Sequence, residues 1–484
     1  MAIARTNHSD ITRWYGPLAC GCGAGSRPQA GRLCHQERDG APAPQPTPLA
    51  AVLVLSFLGS LGTGAITNGF SFIASEALGY GRAMNLMLAL ALGGSYVLGA
   101  LLVGWLMGRQ VGGLVGQRLT RHGRLGWLSP KRLLAIVLVV IAIACQLPIV
   151  AQYWFPQYRQ AALWAFMLIF SPATGVFWPI VEAYLSGGRS GKGLRSAIGR
   201  FNITWSIALV VAFWAMAPLL AHDPFLIIAV LGVLQLGMCG VLRWFPDQPP
   251  THPPAHVPEH HEPHPAIYVP LLTLFRALLI GSYIVLAALA PLLPIVEDRL
   301  GVAVHWLTPL ASAWLSARVV LFLVFERWHG WHGRWWTPWT GMGLLLVGFS
   351  ACMVSPMVAD TFESTRVGLG ALMGGLIVMG VGMAMTYYGA LYYAMAIGGS
   401  GGGGEHASQI RASAKHEAVI GLGYTIGPMC GLVALWIAGE DHAQSLDAFR
   451  GWVIVLVSLS VVVCTGVGLR GIKNSKAEKQ QSSR

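Results

Sequence analysis

Between two long apolar tracts the chain reads DQPPTHPPAHVPEHHEPHPA, from Asp247 to Ala266. Proline at this density removes backbone donors and fixes φ, so the stretch cannot build a packed element and reads as a polar linker. A helix needs about 20 mainly apolar residues to cross a hydrocarbon core near 30 Å thick. Working outward from the linker, runs of that length fall at 48–70, 84–107, 132–151, 161–185, 197–220 and 224–244 before it. Six more follow at 270–295, 303–325, 339–358, 367–396, 416–438 and 449–469. The linker thus divides twelve helices into two sets of six.

Composition agrees. Hydrophobic residues make up 54% of the chain and charged ones only 11%, with 60 glycines in 484 residues, against roughly 25% charge in soluble domains. Cys20, Cys22 and Cys34 lie in the N-terminal tail, and Cys145, Cys239, Cys352, Cys430 and Cys464 in apolar runs, which gives no disulfide framework. In a soluble protein the net charge of +12 would suggest nucleic acid. Here its distribution across a bilayer matters instead, and no nucleic-acid partner is expected.

Of the 32 Lys and Arg, 25 fall on the linker's side of the membrane once loops are counted alternately. The other side holds Arg82, Arg159, Arg299, Arg366 and Arg450, and Arg276 and Arg318 lie within spans. Positive loops stay cytoplasmic, so both termini are expected inside, in the cell's inner (plasma) membrane. The expected organisation is a disordered cytoplasmic N-terminal tail over 1–46, a six-helix half over 47–245, the linker over 246–269, a second half over 270–470 and a basic cytoplasmic tail over 471–484. The halves look related. Phe177-Trp178-Pro179-Ile180-Val181-Glu182-Ala183-Tyr184-Leu185 aligns without gaps on Tyr387-Tyr388-Gly389-Ala390-Leu391-Tyr392-Tyr393-Ala394-Met395, at equivalent ends of the fourth and tenth spans.

Twelve spans in two halves, with cytoplasmic ends and a polar linker, resemble the major facilitator superfamily. The loop after the second span, Gly113-Leu114-Val115-Gly116-Gln117-Arg118-Leu119-Thr120-Arg121-His122, is similar to that family's Gly-x-x-x-Asp-Arg-x-Gly-Arg-Arg, with Gln117 in place of Asp. Glu182 and Arg189 match the Glu-x-x-x-x-x-x-Arg spacing of sugar-porter relatives, and Gly423 to Gly431 resembles the family's Gly-Pro-Gly helix motif. The resemblance implies an all-α membrane protein of about twelve transmembrane helices in two pseudo-symmetric six-helix halves. It also implies a secondary active transporter that moves a small organic solute by alternating access. Its expected partners are the lipid bilayer, the solute and a coupling proton or sodium ion. It is expected to act as a monomer and neither as an enzyme nor with a cofactor. A receptor, sensor or assembly factor on the same scaffold is the alternative.

Candidate residues follow from polarity and depth, because a charge in hydrocarbon is costly and marks function by default. Arg118, Arg121, Glu182, Arg189 and Glu417 are cytoplasmic gate candidates. Glu182, three residues from its span's end, can pair with Arg189, Arg195 or Arg118 or carry a coupled proton. His416 and Glu417 begin the eleventh run, where a carboxylate favours the helix N-terminus. Arg318, Asn202 and Trp205 are substrate candidates, with structural pairing and interhelical hydrogen bonding as the competing readings. Tyr96, Tyr283, Tyr387, Tyr388 and Tyr424 each offer an apolar face and one hydroxyl, which suits a neutral or amphipathic solute; packing explains the same residues. The linker's His252, His256, His260, His261 and His264, with Glu259 and Glu262, have no fixed geometry and read as a spacer, so no metal site is expected. The glycine run at 398–404 lacks the Lys-Ser/Thr ending of a nucleotide loop.

Overall fold

In a computed structural model, the described residues are 46–109, 128–189, 191–250, 266–328, 330–398, 405–439 and 443–482. They are helical and contain no strand. Among the described residues, twelve helices have the length and hydropathy to cross a membrane. They are α1 (Leu49–Asn68), α2 (Arg82–Met107), α3 (Pro130–Trp154), α4 (Pro156–Ser186), α5 (Gly193–Leu220), α6 (Pro224–Trp244), α7 (Tyr268–Leu289), α8 (Val304–Arg327), α9 (Trp336–Thr361), α10 (Thr365–Ala394), α11 (Ile410–Ala438) and α12 (Leu446–Asn474). The chain is an integral membrane protein. The linker histidines and the loop bearing Arg118 and Arg121 lie outside the described residues.

Helix ends follow local chemistry. Ser129 accepts from the Arg132 N–H at 3.2 Å and Pro130 occupies the first turn of α3, while Asp223 does the same for Phe225 ahead of Pro224 in α6. The seventh span stops at Leu289 rather than 295. Pro291 and Pro294 interrupt the chain there, and a short helix, Leu293–Arg299, follows. The eleventh helix differs most from expectation. The continuous helix that contains the α11 span begins at Glu405, so His416 and Glu417 lie well inside it and cannot cap its N-terminus. The charged residues Arg411, Lys415, His416 and Glu417 break the apolar run but not the helix, because they are adequate helix formers.

Glycine sets the close helix crossings. A Cβ on Gly99 of α2 would stand 2.1 Å from the Pro172 carbonyl oxygen of α4, and one on Gly380 of α10 would stand 2.2 Å from that of Trp314 in α8. Since α2 and α4 of the first half correspond to α8 and α10 of the second, both halves use the same device at the same crossing. Between the halves, α2 packs on α11 and α5 on α8, again an exchange-symmetric pair of contacts. Gly93 lies against the Tyr424 backbone, Gly421 against Val97 and Gly431 against Leu86 along the α2–α11 seam. At the end away from the linker, the Ser71 hydroxyl donates to the Ala290 carbonyl at 2.8 Å. Near the linker end, Gly199 of α5 meets the Glu326 side chain of α8. The halves therefore touch on both sides of the space between them.

Candidate functional site

That space is a cavity with about 500 Å³ free of atoms, open solvent included, and both halves wall it. Helix α1 contributes Ser60, Thr63 and Thr67. Thr63–Asn68 forms a π-helical turn, a local widening that frequently accompanies functional sites, and it turns two threonines inward. Trp178 and Glu182 come from α4, one turn apart, and Phe201 and Trp205 from α5 at the same spacing. Tyr96, Tyr283 and Tyr387 project from α2, α7 and α10, and Glu417, Ile420 and Tyr424 line one face of α11.

The aromatic residues form a connected wall. Tyr424 stands edge-on to Tyr96 at 6.2 Å and to Tyr283 at 5.1 Å, and Trp205 is edge-on to Tyr387 at 5.3 Å. The Tyr96 hydroxyl donates to the Glu417 carboxylate, joining the halves at the cavity wall. Ligand atoms of Glu182, His416 and Glu417 lie within 4.8 Å of one another, and all three residues are buried. Glu182 belongs to the first half and the other two to the second.

Arg318 is 1% exposed and does not line the cavity. Its guanidinium lies 4.3 Å from the Trp205 ring centroid and 4.5 Å from that of Tyr387, so aromatic faces carry its charge in place of an acid. Nε and Nη2 have no hydrogen-bond partner among the described residues. Asn202 is buried behind the wall and accepts from the Trp205 indole N–H at 3.1 Å, which fixes that ring's orientation. Tyr388 packs instead against Phe322, Phe325 and Trp331.

Arg189 turns away from Glu182. Its guanidinium donates to the carbonyls of Tyr184 at 3.1 Å, Leu185 at 2.7 Å and Thr47, which caps the end of α4 and ties it to the start of α1. Burial lowers the pKa of this guanidinium. At the opposite end, Glu297 of the short helix is fully buried, and neither carboxylate oxygen has a partner among the described residues. Burial holds its carboxyl well above the ordinary range. Glu76 is also raised, by burial first and then by the charge of Asp298 across the seam between the halves.

Five of the eight residues singled out for substrate contact thus share one wall with Glu182 and Glu417. Sequence reasoning passed over the hydroxyls of α1. Ser56, Ser60, Thr63 and Thr67 recur at i, i+4, i+7 and i+11, one face of a helix, and that spacing was the available signal.

No family model and no curated protein matches this chain. Solved structures do. A point mutant of the nucleoside transporter NupG superposes with a TM-score of 0.56 at 15% identity, covering 87% of this chain and 99% of that one. A bacterial homolog of the human lysosomal transporter Spinster, inward-facing and occupied, gives 0.53 at 12% identity over 87% and 95% of the two chains. The human organic anion transporter MFSD10 (TETRAN) gives 0.53 at 14% identity over 87% and 100%. With two six-helix halves meeting through α2–α11 and α5–α8 around a shared cavity, the chain has the fold of the major facilitator superfamily.

Proposed function

We propose that this chain is a secondary active transporter that carries a small organic solute across the membrane by alternating access. The observation that carries the reading is the cavity itself. It lies between the halves, both halves line it, and each half brings an acid to it, Glu182 from one and Glu417 from the other. Rocking of one half against the other would expose such a cavity to each side in turn. Aromatic faces with scattered hydroxyls suit a solute with an apolar ring or skeleton and a few polar groups. The Lys/Arg distribution favours cytoplasmic termini. Coupling to a proton or sodium ion would act at the acid pair.

Purified protein in proteoliposomes, offered radiolabelled nucleosides, sugars and aromatic acids under imposed proton and sodium gradients, tests this. One class is expected to accumulate above the equilibrated level, and Trp205→Ala should reduce the rate at least tenfold by removing one of the cavity's two indole faces. Solute binding without accumulation under either gradient would favour a receptor or sensor on this scaffold.

A further inference from the structure

The acid pair has a third member. His416 is 8% exposed, its Nε2 is buried with no partner among the described residues, and its nearest ligand atom lies within 4.8 Å of those of both Glu182 and Glu417. Buried polar nitrogens are rarely left unpaired, so this one asks for an occupant. In a tetrahedral zinc site with bonds near 2.0–2.1 Å, ligand atoms stand about 3.4 Å apart. A contraction of at most about 1.4 Å would therefore bring these three atoms into coordination range.

We propose that Glu182, His416 and Glu417 form a binding site for one divalent transition-metal ion, held across the two halves at the cavity wall. The donor set decides the class. One imidazole and two carboxylates suit Zn²⁺, Mn²⁺ or Fe²⁺, whereas Mg²⁺ and Ca²⁺ prefer oxygen alone. A soft-metal site would need thiolates. The closest in sequence on this helix, Cys430, is thirteen residues from Glu417, about 20 Å along the helix axis. Charge is compatible: the two carboxylates offset Arg276, whose field reaches His416, and Arg318, whose charge lies over the Trp205 and Tyr387 rings. The Tyr96 hydroxyl already orients the Glu417 carboxylate, as outer partners orient metal ligands elsewhere. Three protein ligands leave a coordination position toward the cavity. Because one ligand comes from the first half and two from the second, a bound ion clamps the halves together.

The inference goes beyond solute transport and uses a different readout. The protein would be purified without a polyhistidine tag, with His252, His256, His260, His261 and His264 changed to Ser so that the linker cannot contribute. Zn²⁺ affinity would then be measured by competition with a chromophoric chelator. One tightly bound Zn²⁺ per chain is expected, and Glu182→Gln, His416→Asn and Glu417→Gln should each weaken it at least tenfold. X-ray absorption at the zinc edge of the chain with its triad intact should show one imidazole, oxygen donors and no sulfur, a check that does not depend on how the variants fold. Affinity unchanged in all three variants, more than one imidazole, any sulfur ligand, or no bound Zn²⁺ would overturn the proposal. Uptake in chelator-treated vesicles is a separate measurement. Zinc binding without any solute uptake would leave the site standing and remove the transport reading, and the reverse result would do the opposite.

Discussion

Gly93→Val is expected to leave the protein folded yet drive it out of the conformation described above, while Gly99→Val should prevent stable folding. Both glycines lie on α2, six residues apart, and both face backbone, so no side-chain rotation can relieve an added Cβ. They differ in what they face. Gly99 meets Pro172 of α4 within the same half, at 2.1 Å from the carbonyl oxygen, so a valine there forces apart two helices that must pack for the half to exist. Gly93 meets Tyr424 of α11 in the other half, with the carbonyl carbon and oxygen at 2.4 Å. The halves can separate at that seam without unfolding. Overpacking of this kind costs about 1–3 kcal/mol, which corresponds to roughly a 5- to 150-fold shift away from the closed arrangement. Thermal unfolding of purified protein together with labelling of a single Cys in the cavity separates the two. Gly93→Val should unfold near the parent temperature with several-fold faster labelling, and Gly99→Val should give little monodisperse protein. Equal loss of folded protein from both substitutions would argue that α2–α11 is a fixed interface.

Neutralising one acid of the pair is expected to uncouple transport from its driving gradient. Two ionised carboxylates no more than 4.8 Å apart repel by at least about 3 kcal/mol at an effective dielectric constant of 20. That repulsion acts between the halves, and a proton or other cation on the pair removes it. Glu182→Gln removes it permanently, and the new amide can donate to Glu417. In metal-free vesicles, gradient-driven accumulation should fall at least tenfold while exchange of internal for external solute persists. A gating role for Glu182 predicts another pattern: retained accumulation with increased labelling of a Cys in the half of the cavity nearer the linker. Unchanged accumulation with unchanged labelling would remove both roles.

The sequence made the fold legible because lipid imposes a length and a polarity that few other structures share. All twelve spans were recognisable, and the seventh ran long only because Pro291 and Pro294 are apolar enough to pass for span. The cavity was legible in part. Aromatic residues at mid-span, such as Tyr96, Tyr283 and Tyr424, stood out because their hydroxyls are unusual in hydrocarbon. Glu182 and Glu417 were noticed for their charge but placed at helix ends. The apolar run of α11 starts six residues after Ile410, and counting from the run instead of the helix moved Glu417 toward the interface. Hydropathy reports where a helix meets lipid, and an inward charged face contributes nothing to it. Arg318 stood out as a charge within a span, but the faces of Trp205 and Tyr387 that answer it are a tertiary arrangement with no signature in spacing.

Alternating access requires the cavity to open to one side at a time, which spin labels placed in pairs across the halves can follow. Positions 79 and 298 report the end away from the linker, and positions 200 and 327 the linker end; all four are exposed. In a cysteine-free background, pulsed dipolar distances at the two pairs should shift in opposite directions when the transported solute is added, one lengthening as the other shortens. Distances that stay fixed at both ends, or that lengthen together, would contradict alternating access.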